Sequence, residues 1–213
     1  MGQAIRELAI LDSDIIIENF KDLHCIPNLE SIVIDFSSPK SLSSILDFCI
    51  LNKFPIVTGT TGLSLEDDNL IKEAQKLIPI LAASNMSVGI SSLKKSIDSF
   101  LQSAEFQYQC TLTEIHHIKK VDSPSGTALD ILEYLEQFPE CRIQRPISIE
   151  SLRLGEVSGI HRIELKNDNE IIYFQHIANS RSIFASGALG AAEWLISKPP
   201  GLYSFADFLD KKL

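Results

Sequence analysis

Residues Glu114 to Leu129 read E-I-H-H-I-K-K-V-D-S-P-S-G-T-A-L and carry the densest chemistry in the chain. His116, His117, Lys119 and Lys120 fall within five positions, and a Ser-Pro-Ser-Gly-Thr turn follows. Histidine titrates near neutral pH and so gives and takes protons readily. Lys120 can donate a proton or bind an anion. The turn opens an amphipathic segment in which Ala128, Ile131, Leu132, Leu135 and Phe138 recur at helical spacing. Ser123 or Ser125 can cap that helix, with Pro124 or Gly126 at its entry. The first N–H groups of a helix have no internal partner and carry partial positive charge, so a carboxylate can dock there. Proton-transfer groups beside an anion cradle point to an enzyme acting on a small carboxylate.

Each part has a plainer explanation. A His-His pair at a strand end is more often structural than catalytic, and S-P-S-G alone is an ordinary helix start. Adjacent strand residues face opposite sides, so His116 and His117 share a site only where the strand ends or twists. Metal binding is not expected: His161 and His176 stand apart, and Cys25, Cys49, Cys110 and Cys141 show no paired spacing.

The surrounding elements alternate. Helix is expected over 2–11, a short strand over Asp14–Glu18, and a buried strand over Ser31–Phe36. A helix over Ser41–Asn52, a strand over Pro55–Thr58, a helix over Leu65–Leu77 and a strand over Ile78–Ala82 follow. Strands separated by helices of this length imply parallel βαβ units. Ligands of such sheets gather beyond the carboxyl ends of the strands, here Asp35–Ser37, Gly59–Thr61 and Ala83–Met86. Further on, a helix is expected over 88–104, the strand Phe106–Ile115, and a helix over 125–138. Ile147–Arg153, Gly159–Lys166 and Ile171–Ile177 alternate apolar and polar residues, as strands with one open face do. Together they predict a mixed or antiparallel sheet. A helix over Ser186–Ile196, rich in Gly and Ala for close packing, stops at Lys198-Pro199-Pro200-Gly201. A short amphipathic segment begins at Ser204.

The 213 residues, 45% apolar, suit one large domain or two small ones. A formal net charge of −9 argues against bulk binding to nucleic acid or anionic membrane. No apolar run approaches the roughly 20 residues of a membrane span. The N-terminus lacks a secretion-signal pattern, and four scattered cysteines read as reduced, which predicts a cytoplasmic protein.

The Glu114–Leu129 run resembles the dihydrodipicolinate reductase signature E-x-H-H-x-x-K-x-D-A-P-S-G-T-A, with Ser123 in place of the alanine. Ile34-Asp35-Phe36-Ser37 is similar to that family's I-D-F-[ST], and Gly59-Thr60-Thr61-Gly62 to its G-T-T-G. Asn85-Met86-Ser87-Val88-Gly89 matches N-F-S-[VI]-G with Met for Phe, and Arg181–Leu195 matches the closing helix. The resemblance implies an α/β fold: a Rossmann-like parallel sheet plus an α+β substrate and oligomerisation domain with a mixed sheet. Residues 1–88 and 190–213 would form the dinucleotide-binding domain, and 89–189 the substrate domain. The implied activity is reduction of 4-hydroxy-tetrahydrodipicolinate by NADH or NADPH in lysine and diaminopimelate biosynthesis. His116 would be the proton donor and acceptor, with Lys120 as second donor. His117, Gly126 and Thr127 would bind the cyclic dicarboxylate, with Arg181 as a further anion contact. Gly59, Thr60, Thr61, Ala83, Ser84, Asn85 and Met86 would bind the cofactor. A homotetramer is the implied assembly.

Two departures bear on these expectations. The family opens with a strand and a G-x-x-G-R-M-G turn for the cofactor pyrophosphate, whereas Met1-Gly2-Gln3-Ala4-Ile5 looks like the end of that motif. The expected start therefore lies roughly a dozen residues upstream, and the alternative is a non-catalytic paralogue acting as a ligand-binding or assembly partner. Glu18, with Asn19 beside it, is the candidate for the cofactor ribose and favours NADH.

Overall fold

The computed structural model describes residues 1–10 and 31–210; the strand expected at Asp14–Glu18, with Glu18 and Asn19, lies outside the described residues. The elements run α1 (Gly2–Ala9), β1 (Val33–Asp35), α2 (Pro39–Asn52), β2 (Ile56–Thr58), α3 (Leu65–Ala74), β3 (Pro79–Ala82), α4 (Val88–Ser103) and β4 (Gln109–His116). They continue with α5 (Gly126–Glu136), β5 (Ser148–Arg153), β6 (Gly159–Lys166), β7 (Ile171–Ala178), α6 (Ser182–Leu195), β8 (Gly201–Tyr203) and α7 (Phe205–Asp210). The chain divides into two compact units, Met1–Met86 with Ser182–Leu213, and Ser87–Arg181.

The first unit holds a parallel sheet of order β1-β2-β3-β8. Register brings Asp35 level with Thr58, and Thr58 level with Ala82, so three strands finish on one line. Pro39 at the first turn starts α2, and Leu42, Ile45, Leu46 and Cys49 bury its 3–4 stripe. Lys53, in the left-handed region at φ 55, closes it. A capping box between Ser64 and Asp67 starts α3. Helix α6 begins at Ser182, one turn before the expected Ser186. Its small residues do what their composition predicts: a Cβ on Gly187 would lie 1.8 Å from the Met86 carbonyl oxygen, so only glycine lets this helix sit on the Asn85–Met86 turn. Strand β8 was not expected. Pro199 and Pro200 mark only a helix stop, and three residues carry too short a pattern to reveal a strand.

The second unit is a mixed sheet of order β5-β4-β6-β7, with β4–β5 parallel and the other pairs antiparallel. Strand β4 starts at Gln109 rather than Phe106, which is 52% exposed. One sheet face packs on α4 and α5 through Ile90, Leu93, Ile97, Leu101, Ala128, Ile131 and Leu135. From the strands come Cys110, Leu112, Ile163 and Leu165. Each fully buried Leu or Ile contributes about 1.5–3 kcal/mol. Lys94 and Asp130 tie the two helices at 2.7 Å. Arg145 donates to the carbonyls of Glu136 and Phe138 at 2.8 Å each, satisfying the C-terminal end of α5.

Candidate functional site

Two clusters lie at strand ends, one in each unit. In the first unit Asp35 is 4% exposed and gathers donors from Ser37, Thr58 and Thr60. Its carboxylate accepts from the Ser37 N–H (2.9 Å) and hydroxyl (2.6 Å), from Thr58 Oγ1 (3.0 Å) and from Thr60 Oγ1 (2.8 Å). Backbone bonds join the strand ends, Gly59 N–H to Asp35 O at 2.8 Å and Ala83 N–H to Thr58 O at 3.1 Å. A Cβ on Gly59 would stand 2.1 Å from the Phe36 ring, which would have to move, and Gly62 takes a left-handed φ of +76 that favours glycine. Thr61 and Ser84 are exposed at this edge, Gly59 and Ala83 partly so, while Thr60 is buried. The Met86 side chain is buried in the core with Ala188, Ala191 and Phe205, and its carbonyl oxygen lies against Gly187 of α6. Short hydroxyls and closely approachable backbone at carboxyl strand ends suit a dinucleotide.

The second cluster grows out of β4. Its buried face runs Cys110, Leu112, Glu114, His116, so the apolar core face turns polar over the last two inward positions. Glu114 has no measurable exposure. Arg153 Nη1 donates to its Oε1 at 2.9 Å, and its Oε2 meets His116 Nδ1 in a short contact. Burial works to raise the Glu114 carboxyl, but bonds from Arg153, Ser151 and His116 outweigh it and hold it below the ordinary carboxylate range. Burial also lowers His116, against the pull of Glu114. Register sets His161 opposite Glu114 and His176 opposite His161. The His116 and His161 rings meet edge to face with centroids 5.2 Å apart. Burial pushes His161 down to about 3, so it is neutral at ordinary pH. Ser125 caps α5 by accepting the Ala128 N–H at 3.1 Å and lies 3.3 Å from His161 Nε2. Ser87 makes the corresponding contact to His176 Nε2, also at 3.3 Å.

Strand β4 ends at His116, the condition under which both histidines can serve one site. His117 Nε2 lies 3.2 Å from Arg181 Nη2, so the guanidinium expected as an anion contact rests on an imidazole. Lys120 Nζ pairs with Asp122 at 2.8 Å. Burial favours raising the Asp122 carboxyl, yet Lys120 and the Gly126 N–H outweigh it and keep it low. The anion cradle at α5 is therefore met by a carboxylate of the chain's own, beside Gly126 and Thr127 in the first turn.

Sequence reasoning left Glu114, Arg153, His161, Asp122 and Asp35 without roles. Glu114 was detectable, because positions two apart on a strand share a face with His116. Arg153 and His161 arrive through strand register. Glu114, His116 and His161 bring one donor atom each within 4.8 Å of one another, the spacing of a metal triad. Arg153 already supplies the positive charge there, and we do not identify these residues as metal ligands.

Residues 1–86 match the family model described as "Dihydrodipicolinate reductase, N-terminus", and 89–209 match "Dihydrodipicolinate reductase, C-terminus". A 4-hydroxy-tetrahydrodipicolinate reductase of Bdellovibrio bacteriovorus is 41% identical over 176 residues, covering 83% of this chain and 75% of its own. One from Campylobacter lari is 35% identical over 208 residues, covering 90% and 84%. Among solved structures, a dipicolinate-bound dihydrodipicolinate reductase from Paenisporosarcina sp. TG-14 superposes with a TM-score of 0.65 at 20% identity. That match covers 95% of this chain and 92% of the other and speaks for the fold.

Proposed function

We propose that this chain, which belongs to the dihydrodipicolinate reductase family, reduces 4-hydroxy-tetrahydrodipicolinate to tetrahydrodipicolinate with NADH or NADPH, within lysine and diaminopimelate biosynthesis. The observation that carries the reading is a titratable imidazole, His116, in one short segment with Lys120 and the Ser125-capped first turn of α5. Met1–Met86 with Ser182–Leu213 is assigned to the nucleotide, and Ser87–Arg181 to the substrate.

When bound, the nicotinamide supplies the hydride. The loops after β1, β2 and β3 would hold the cofactor through Gly59, Thr60, Thr61, Ala83, Ser84, Asn85 and the Met86 backbone. Gly126 and Thr127 take one substrate carboxylate through N–H and hydroxyl donors, which requires displacing Asp122. His117 adds a polar contact. His116 exchanges the proton that balances charge arriving on the ring, and Lys120 serves as second donor. Lys120→Ala should lower turnover far more than it lowers Tm, because a partly exposed ion pair contributes only about 0.2–1 kcal/mol. Equal losses in both would show Lys120 to be structural. The test follows NADH oxidation alongside thermal melts.

We also assign a cytoplasmic homotetramer. Leu152, Ile115, Ile160 and Ile177 lie in register across all four strands of the second unit's sheet, on the face away from α4 and α5. Leu152 and Ile177 are 43% and 51% exposed, and such an apolar row fits association with copies of this chain. A solution mass near four times 23.7 kDa supports the tetramer, and a monomer overturns it.

A further inference from the structure

We propose that Glu114, anchored by Arg153, is the positioning residue that fixes the tautomer of His116 and makes Nε2 its proton-exchanging atom. The inference rests on the function proposed above and extends it to residues outside the direct contacts. A carboxylate that already accepts from a guanidinium at 2.9 Å can only accept from the ring as well. The proton on His116 Nδ1 is therefore committed to Glu114. Nε2 holds the lone pair in neutral imidazole and the transferable proton in imidazolium. The Nε2 side is kept open by Gly159, where a Cβ would stand 3.1 Å away.

The anchoring is built into the sheet. Arg153 is level with His116 in the β4–β5 pairing, so its side chain reaches Glu114 from the neighbouring strand. Glu114 is thus held from one side and holds His116 on the other, leaving the imidazole little freedom to flip. The groups facing His116 are Glu114 on its own strand, Arg153 on β5, His161 on β6 and Lys120 in the loop, with His176 behind His161. Glu114 favours the imidazolium, while Arg153 and Lys120 oppose it.

Two variants move the same limb of the pH profile in opposite directions. Glu114→Gln keeps the shape and an acceptor oxygen but removes the charge. It should lower kcat by at least about 10-fold, toward the roughly 10⁴-fold cost of neutralising a carboxylate that holds a catalytic imidazole in its tautomer. It should leave KM within about twofold and shift the His116 limb to lower pH. Arg153→Gln should shift that limb to higher pH. Ring titration of His116 by NMR in both variants reads the same two shifts without any turnover. An inactive wild-type enzyme would sink the proposed function while leaving this titration intact. A limb and ring titration unmoved in both variants, with only Tm reduced, would overturn the positioning role. If Glu114→Gln does not fold, Arg153→Gln decides alone: an upward shift supports the proposal, and no shift or a downward one overturns it.

Discussion

At the ends of β1 and β2 a buried carboxylate, Asp35, gathers an amide and three hydroxyls; at the end of β4 another, Glu114, gathers a guanidinium and an imidazole. Both are almost completely buried, and both sit where a sheet hands over to loops. Their partners set them apart. Serine and threonine donors do not titrate, so Asp35 builds a rigid set of turns that can shape a nucleotide edge. His116 does titrate, so Glu114 builds a centre whose charge responds to protons. One fold thus places the same device, a buried acid at a strand end, in both units, with non-titrating partners in one and a titrating partner in the other.

The sharpest way to break this contrast is to remove His116. His116→Ala should reduce turnover by about 10²–10⁴-fold, the usual share of a positioned acid–base group. Its NADH affinity, read by titration calorimetry, should stay within about twofold, since the orienting cluster is untouched. A comparable loss of NADH affinity would erase the division of labour. Asp35→Ala should do the reverse. It strands the donors of Ser37, Thr58 and Thr60, so stability should fall by about 1–3 kcal/mol in denaturant unfolding. Its KM for NADH should rise, while kcat at saturating NADH should stay nearer wild type than in His116→Ala.

Acid titration tests the second cluster through stability rather than turnover. His161, held near 3 when folded against 6.5 when free, binds its proton more readily in the unfolded chain. Its stabilising contribution is complete above pH 6.5 and drains as pH falls toward about 3. His116, also lowered, acts in the same direction. Each such proton adds a slope of at most about 1.4 kcal/mol per pH unit. Stability should therefore begin to decline just below neutrality, before ordinary carboxylates titrate. His161→Gln should flatten the decline between pH 6 and 4, and an unchanged slope would remove His161 as its source.

Much of this was legible in one dimension. A strand ending near His116 was expected, and a period of two would have set Glu114 on the same face as His116, though the core side of that strand emerged only in the structure. The Ser-Pro-Ser-Gly-Thr turn announced the start of α5 with Ser123 or Ser125 as cap, and the structure selects Ser125, whose contact is to a residue three positions on. The parallel first sheet followed from alternating helix and strand patterns, and the Gly187–Ala192 stretch declared close packing without saying against what. Asp35 was visible within I-D-F-S, but its role was not, since the hydroxyls of Thr58 and Thr60 come from 23 and 25 residues away.

Local chemistry, then, was settled by the amino-acid sequence itself: which longer segments form helix and strand, and that acid–base groups adjoin a helix start. Only the tertiary structure decided the partners. Arg153 reaches Glu114 across 39 residues of chain, and Ser125 reaches His161 across 36. Likewise β8 exists because β3 offers an edge to pair with. Such pairings depend on strand register, and register is set by how whole faces pack on a shared core rather than by any local pattern.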